Sequence, residues 1–306
     1  MAEAKTDHGS SISPAATHDQ FGSRAATVVC ASTDGSRRHE AETRVIEEEI
    51  LTIDVADVGR YALMWTPTTD HTEAVAYCIE DGILAASGIP EQLAIATGFA
   101  FTEGIINHLA EITQMSVCPE RPDVVNMRLK HPEQVSARRR NVVMTSSCGV
   151  CGAWEQLAAS VSRCAPVSTG LRATVADLMR ISNEMQQQQR IFDATGGAHA
   201  AAIFDADLKV VAVAEDLGRH NALDKVIGYR LLGGAELTGC GAFISSRISF
   251  EMAAKAARAG CEILAAISAP TSLAIEMAER SGITLCGFVR RGSAEIYSHP
   301  QRIVAA

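Results

Sequence analysis

The feature that most constrains this chain is an alternation of strand-like and helix-like segments that becomes regular from residue 174 onward. Thr174 to Gln189 reads as a surface helix, with Thr174 as N-cap and the glutamines turned outward. Ala198 to Phe204 and Lys209 to Ala214 read as paired strands around the Asp205-Ala206-Asp207 turn. Asn221 to Leu232, Phe250 to Arg258 and Ser272 to Arg280 read as helices. Gly241 to Ser245, Ile263 to Ile267, Ile283 to Val289 and Ala294 to Tyr297 read as strands. Such a chain buries its apolar faces by packing helices on a sheet, which predicts an α/β fold. No internal repeat is found.

The N-terminal half is less regular. Residues 1 to 40 are rich in Ser, Thr, Ala, Gly, His and Asp without periodicity, and are expected to form a disordered tail. Val45 to Val55 and Gly59 to Thr66 read as strands separated by Asp57-Val58-Gly59, and Pro67 ends the second. Residues 73 to 86 are expected to be helical. Pro90 to Ile106 is read as a helix because Pro90 suits a first turn and Leu93, Ala96, Ala100 and Phe101 share one face. Val124 to Leu129 and Val142-Val143-Met144 read as strands. The expected division is a tail (1–40), an N-terminal α+β part (41–135) and an α/β domain (136–306).

With 306 residues, 47% of them hydrophobic and 21% charged, the chain can bury a sizeable core. Its formal net charge of −9 disfavours general attraction to nucleic acid or an anionic membrane. Nine cysteines are scattered rather than arrayed as a disulfide framework. Cys78, Cys164, Cys240, Cys261 and Cys286 lie in apolar or alanine-rich surroundings and read as small core residues. No apolar run is long enough to span a bilayer, and Met1 to His8 lacks the apolar region of a secretory signal. A reducing cytoplasm is the expected location.

Chemistry is expected at Thr145-Ser146-Ser147-Cys148-Gly149-Val150-Cys151-Gly152, a glycine-rich turn between the strand-like Val142-Val143-Met144 and a helix-like segment opening at Ala153. A thiol at a helix start meets unpaired N–H groups and the positive end of the dipole, and both favour the thiolate. A structural zinc knuckle needs four ligands, but no second Cys-x-x-Cys and no His-x(3–5)-His accompanies the pair. A thioredoxin-like dithiol, a persulfide-forming sulfur carrier and two buried structural cysteines remain as readings. Ser136-Ala137-Arg138-Arg139-Arg140 is a basic approach to this turn.

Further clusters lie in the α/β half. Glu215 to Lys225 gathers Arg219, His220 and Asn221 at a helix start beside Gly218, either an anion site or a cap formed by Asp216 or Asn221. His199 follows the Thr195-Gly196-Gly197 turn and reads more readily as a strand histidine than as a ligand. Ser245 to Glu251 and Ser268 to Ser272 are strand-to-helix turns, the places where open α/β sheets bind ligands, so Arg247 is a candidate pocket residue. Glu251 and Lys255 are read as a surface pair. Gly287 to Ser293 joins two strands with Arg290 and Arg291 beside Phe288, a cation for phosphate and a ring for a base.

Ser146 to Gly152, Thr195-Gly196-Gly197-x-His199-x-Ala201, Glu215-Asp216-x-Gly218 to Lys225, Ser268 to Ala274 and Gly287-Phe288-Val289-Arg290 occur in this order. Together they resemble the formate dehydrogenase accessory sulfurtransferase (FdhD) family from about residue 45 to the C-terminus. The resemblance implies a cytidine-deaminase-like mixed sheet flanked by helices, with a smaller N-terminal β-rich part. It implies transfer of persulfide sulfur from a cysteine desulfurase to the molybdenum (or tungsten) bis-molybdopterin guanine dinucleotide cofactor, bound as substrate, for use by apo-formate dehydrogenase. Cys148 would then carry the persulfide and Cys151 assist. Phe288, Val289, Arg290, Arg291, Gly292 and Ser293 would bind the cofactor, no resident metal is expected, and the chain would form a homodimer. A non-catalytic cofactor chaperone and a dithiol oxidoreductase are the alternatives. The zinc-deaminase pattern is absent, because Ala200 and Ala201 follow His199. The interval from Pro67 to Leu93 departs from the family pattern in its length.

Overall fold

Strand alternation and a largely buried helix shape the described residues of the N-terminal half. The computed structural model describes residues 21–69, 75–78, 88–118, 120–135, 143–144 and 166–305. β1 (Ser23–Ala31) and β2 (Arg38–Ile46) form a separate antiparallel pair. β3 (Glu49–Val55) and β4 (Gly59–Trp65) pair around Asp57, whose φ is 62°, and send Leu51, Ile53, Val55, Tyr61, Leu63 and Trp65 into one core. With β5 (Val75–Cys78), β6 (Ile112–Cys118), β7 (Arg121–Leu129) and β8 (Val143–Met144) they make a sheet of order β5-β6-β7-β3-β4-β8. Helix α1 (Glu91–Thr102) packs into the same core.

The second sheet contains β9 (His199–Phe204), β10 (Val210–Asp216), β11 (Gly241–Ile244), β12 (Ile263–Ala266), β13 (Thr284–Arg290) and β14 (Ser293–Ser298), in the order β10-β9-β11-β12-β13-β14. β11, β12 and β13 are parallel, and the remaining neighbours are antiparallel. Alternate residues face opposite cores, as the strand period requires. Ala200, Ala202, Phe204, Phe243, Ile263 and Ala265 meet α2 (Val175–Gln186), where Thr174 and Asp177 form a capping box. Ala201, Ile203, Ile244 and Leu264 meet α4 (Arg219–Leu232), α5 (Phe250–Arg258) and α6 (Ser272–Ser281). A short helix, α3 (Arg190–Thr195), precedes β9.

The two halves join where α1 lies against α4. A Cβ at Gly98 would overlap the Asp224 carbonyl, and one at Gly228 would overlap the Ala94 carbonyl, so glycine is needed for this approach. The single apolar face expected for Leu93, Ala96, Ala100 and Phe101 is therefore corrected. Every residue from Glu91 to Ala100 is buried, because α1 has the N-terminal sheet on one side and α4 on the other.

The mixed α/β class holds, and the helix Phe250 to Arg258 has the expected bounds. Other expectations change. Residues 23–46 pair as strands within the stretch assigned in part to a disordered tail, while residues 1–20 lie outside those described. Val75–Cys78 is a strand antiparallel to β6, not helix, and β6 and α3 were not foreseen. β8 belongs to the N-terminal sheet although it follows the boundary placed at residue 135.

Candidate functional site

Three parallel strands put their C-terminal ends on one edge of the second sheet. β9 runs against them and starts there at His199, and β10 ends there at Asp216, opposite His199. Open α/β sheets offer ligands this carboxyl edge. Gly196–His199, Asp216–Asn221, Ser245–Ser249, Ser268–Ser272 and Phe288–Ser293 thus line one edge, each beside the next in strand order.

Backbone hydrogen bonds stitch the edge. The Ser245 N–H donates to the Ala200 carbonyl at 3.0 Å, and the Ala200 N–H donates to Ser245 Oγ at 2.9 Å. The Ile248 N–H donates to the Ala269 carbonyl at 3.1 Å, and the Thr271 N–H donates to the Ile248 carbonyl at 2.9 Å. The Phe288 N–H reaches the Ser268 carbonyl at 3.2 Å. A Cβ at Gly287 would lie 3.0 Å from Pro270 Cδ, so the residue there must be small for β13 to meet this turn.

Beyond Gly287 the β13–β14 register slips, and Phe288, Arg291 and Gly292 take φ values of 50°, 54° and 78°. Left-handed backbone at phenylalanine is strained and persists only where its surroundings impose it. Here it leaves Phe288 half-buried with the Arg290 guanidinium 5.1 Å from its ring centroid. Arg290, Arg291, Gly292 and Ser293 are exposed, and Ser293 Oγ donates to the Arg290 carbonyl at 3.2 Å. Val289 is buried in the core under α2, so only its backbone is open to a ligand. Arg247 is exposed at the end of β11.

The floor beside this edge is an ion cluster. Lys225 Nζ lies 2.8 Å from both Glu91 Oε1 and Asp216 Oδ2, and donates to the Thr66 and Glu215 carbonyls at 2.7 and 2.9 Å. Asp216 also accepts from the Thr66 and Gly218 N–H groups at 3.1 and 2.8 Å and from Asn221 Nδ2 at 2.9 Å. Burial pushes the Asp216 carboxyl up, and Lys225 with these donors opposes that push. Burial alone would lower the Lys225 pKa, but Asp216 and Glu91 outweigh it and hold the pKa above its ordinary value. Of the two cap readings, Asp216 braces the turn into α4 while Gly218 occupies the N-cap position.

A second cluster corrects the surface pair expected for Glu251 and Lys255. Lys255 is buried, 2.8 Å from Asp224 Oδ2 and 3.1 Å from Glu103 Oε1, and donates to Thr102 Oγ1 at 2.7 Å. Burial raises the Asp224 carboxyl to about 6 against the pull of Lys255. Glu251 instead lies 4.0 Å from His220 Nε2, between the first turns of α5 and α4. The His199 pKa is lowered by burial, then by Arg219. Sequence reasoning missed the two buried lysines. The available signal was Lys225 set between Leu223 and the Val226-Ile227 pair of an apolar stripe.

Cys148 and Cys151 lie outside the described residues. β8, which precedes them, runs parallel to β4 with Leu63 opposite Met144. β4 leads into Thr66, whose N–H is bonded to Asp216, so β8 points toward the carboxyl edge. Cys240, Cys261 and Cys286 are buried free thiols, and burial raises the pKa of each, to about 12 for Cys286.

Residues 87–304, which include every segment of this edge, match the FdhD/NarQ family. The chain belongs to that family. Among curated relatives it is 44% identical to the sulfur carrier protein FdhD of Bordetella bronchiseptica over 69% of this chain and 77% of that one. It is 37% identical to the protein of the same name from Mycolicibacterium paratuberculosis, over 89% and 95% of the two chains. A crystal structure titled as a formate dehydrogenase accessory protein from Desulfotalea psychrophila superposes with a TM-score of 0.68. It shares 23% identity and covers 92% of this chain and 99% of that one, a likeness of fold. Among the described residues of this FdhD/NarQ family member, no helix is long and apolar enough to cross a membrane.

Proposed function

We propose that this protein is a sulfur carrier whose Cys148 takes sulfur as a persulfide from a cysteine desulfurase and delivers it to a guanine-dinucleotide molybdenum or tungsten cofactor destined for formate dehydrogenase. Membership of a family with curated sulfur carriers supports the role. The observation that carries the reading is a shared edge: β8 heads for its β10 end, and Phe288, Arg290 and Arg291 present a ring and two cations on β13 of the same edge, with three strands between. Cys148 follows Met144 by four residues, so chain length limits their Cα separation to about 14 Å.

The chemistry balances without an outside oxidant. The Cys148 thiolate attacks the terminal sulfur of the donor persulfide, and the donor thiolate leaves. Attack by the Cys151 thiolate on Cys148 Sγ would then expel the terminal sulfur as hydrosulfide, already at the oxidation level of a sulfido ligand. A Cys148–Cys151 disulfide remains for a thiol reductant to reset. In the substrate complex, Arg290 and Arg291 neutralise diphosphate and Phe288 stacks on guanine. The second sheet is taken as cytidine-deaminase-like in layout but not in chemistry. A reducing cytoplasm suits a free thiol carrier.

Reconstitution with desulfurase, cysteine, cofactor and apo-formate dehydrogenase tests the proposal. Cys148→Ala is expected to abolish activation while retaining nucleotide binding. Full activation by a variant lacking both cysteines would point instead to a cofactor chaperone. Insulin reduction without desulfurase would point to a dithiol oxidoreductase.

A further inference from the structure

The hairpin that carries Phe288 also carries a carboxylate with no part in neutralising phosphate or stacking a base. Glu295 sits on β14 directly opposite Gly287, the residue before Phe288, and is exposed. Strand alternation sets its direction. Val289 and Ala294 turn into the core under α2, so Arg290 and Glu295 turn to the opposite face. On that face a Cβ at Gly287 would lie 3.0 Å from both Pro270 Cδ and Tyr297 Cε2. Arg290 in turn covers the Phe288 ring, its guanidinium 5.1 Å from the centroid. Glu295 and the Arg290-covered ring are thus neighbours on one side of the hairpin.

The partners of Glu295 narrow its use. The Tyr297 hydroxyl donates to Glu295 Oε2 at 2.5 Å. Arg290 and Arg291 stand on the same hairpin, yet neither forms an ion pair with Glu295. A carboxylate has about four acceptor positions. Tyr297 takes one and orients the group, and the others are left for a ligand.

We propose that Glu295 selects guanine, accepting hydrogen bonds from the ring N–H and the exocyclic amino group of a base stacked on Phe288. This role rests on the guanine-dinucleotide substrate proposed above and adds how the base is told from others. Guanine sets two donors side by side on its pairing edge, and the two oxygens of a carboxylate match them. Hypoxanthine lacks the amino group and forfeits one bond. Adenine and xanthine set an acceptor against the carboxylate, which leaves polar groups unpaired and discriminates more strongly.

Calorimetry on the full chain with four nucleoside diphosphates tests this. The wild type is expected to bind guanosine diphosphate about 10–100-fold more tightly than inosine diphosphate, and adenosine and xanthosine diphosphates more weakly still. Glu295 is exposed, so Glu295→Gln leaves the fold intact. The variant is expected to prefer xanthosine over guanosine diphosphate, because its amide accepts from the ring N–H and donates to the carbonyl of xanthine. Loss of a merely structural contact with Tyr297 would not create that reversal. A wild type that binds guanosine and inosine diphosphates alike, or a variant that keeps the wild-type order, would overturn this role while leaving sulfur loading of Cys148 and guanosine diphosphate binding in place. A wild type that binds no guanosine diphosphate would remove the proposed substrate together with this role.

Discussion

The two ends of the second sheet are both charged, yet they use charge in opposite ways. At the amino edge Arg302 and Glu262, each 1% exposed, pair at 3.2 Å. Arg302 also donates to Thr284 Oγ1 at 3.0 Å and the Ser168 carbonyl at 2.7 Å. Glu262 accepts from Ser168 Oγ and from the Gly170 and Leu171 N–H groups at 2.6, 3.0 and 2.7 Å. At the carboxyl edge Arg247, Arg290 and Arg291 are exposed, and Phe288 is held in strained backbone. An arginine saturated by its own chain stabilises the fold. One left facing water beside a strained ring is available to a ligand.

The largest effect that sharpens this contrast is expected from Arg302→Met. It leaves Glu262 buried without its cation and should cost about 3–5 kcal/mol in urea unfolding. Guanosine diphosphate binding to the folded variant should be unchanged. Arg290→Ala and Arg291→Ala should do the reverse: affinity for guanosine diphosphate by calorimetry falls about 10–100-fold, and stability stays within about 0.5 kcal/mol. A large stability loss from either would break the comparison.

A pH arm follows from Glu262. Burial favours its neutral form, but Ser168, Leu171, Gly170 and Arg302 outweigh that and hold its pKa below the ordinary 4.5. A carboxylate with a lowered pKa adds stability that is present above the unfolded value and lost as pH falls. The advantage of the wild type over Glu262→Gln should therefore shrink below about pH 4.5, read by unfolding at stepped pH. The smallest effect is expected for Phe288→Gly. Glycine accepts the φ of 50° freely, so stability should stay within about 1 kcal/mol of wild type, while guanosine binding weakens through the lost ring.

Much of the second sheet was legible in the sequence because its elements are short, apolar and punctuated. Phe250 to Arg258 ends at the Ala259-Gly260 turn, and Thr174 and Thr271 announce the helices they cap. The β1–β2 pair was not legible, since neither strand has a face buried along its length to impose an apolar alternation. Val75–Cys78 has strand formers in Val75 and Tyr77 but lies inside the longer stretch 73–86 read as helix, and its partner strand β6 comes only after α1. Lys255 lies four residues from Glu251, but its partners Asp224, Glu103 and Thr102 come from α4 and the end of α1. Spacing along one helix is blind to charges on the next. The motifs of the carboxyl edge were each visible, but their meeting depends on strand order.

The central claim is that this edge serves a thiol that carries sulfur. Intact and peptide mass spectrometry after incubation with a cysteine desulfurase and cysteine tests it most directly. A reductant-labile gain of about 32 Da, one sulfur atom, on the peptide containing Cys148 is the expected result, lost in Cys148→Ala. A wild-type chain that gains no sulfur, or gains it only on Cys30, would contradict the claim.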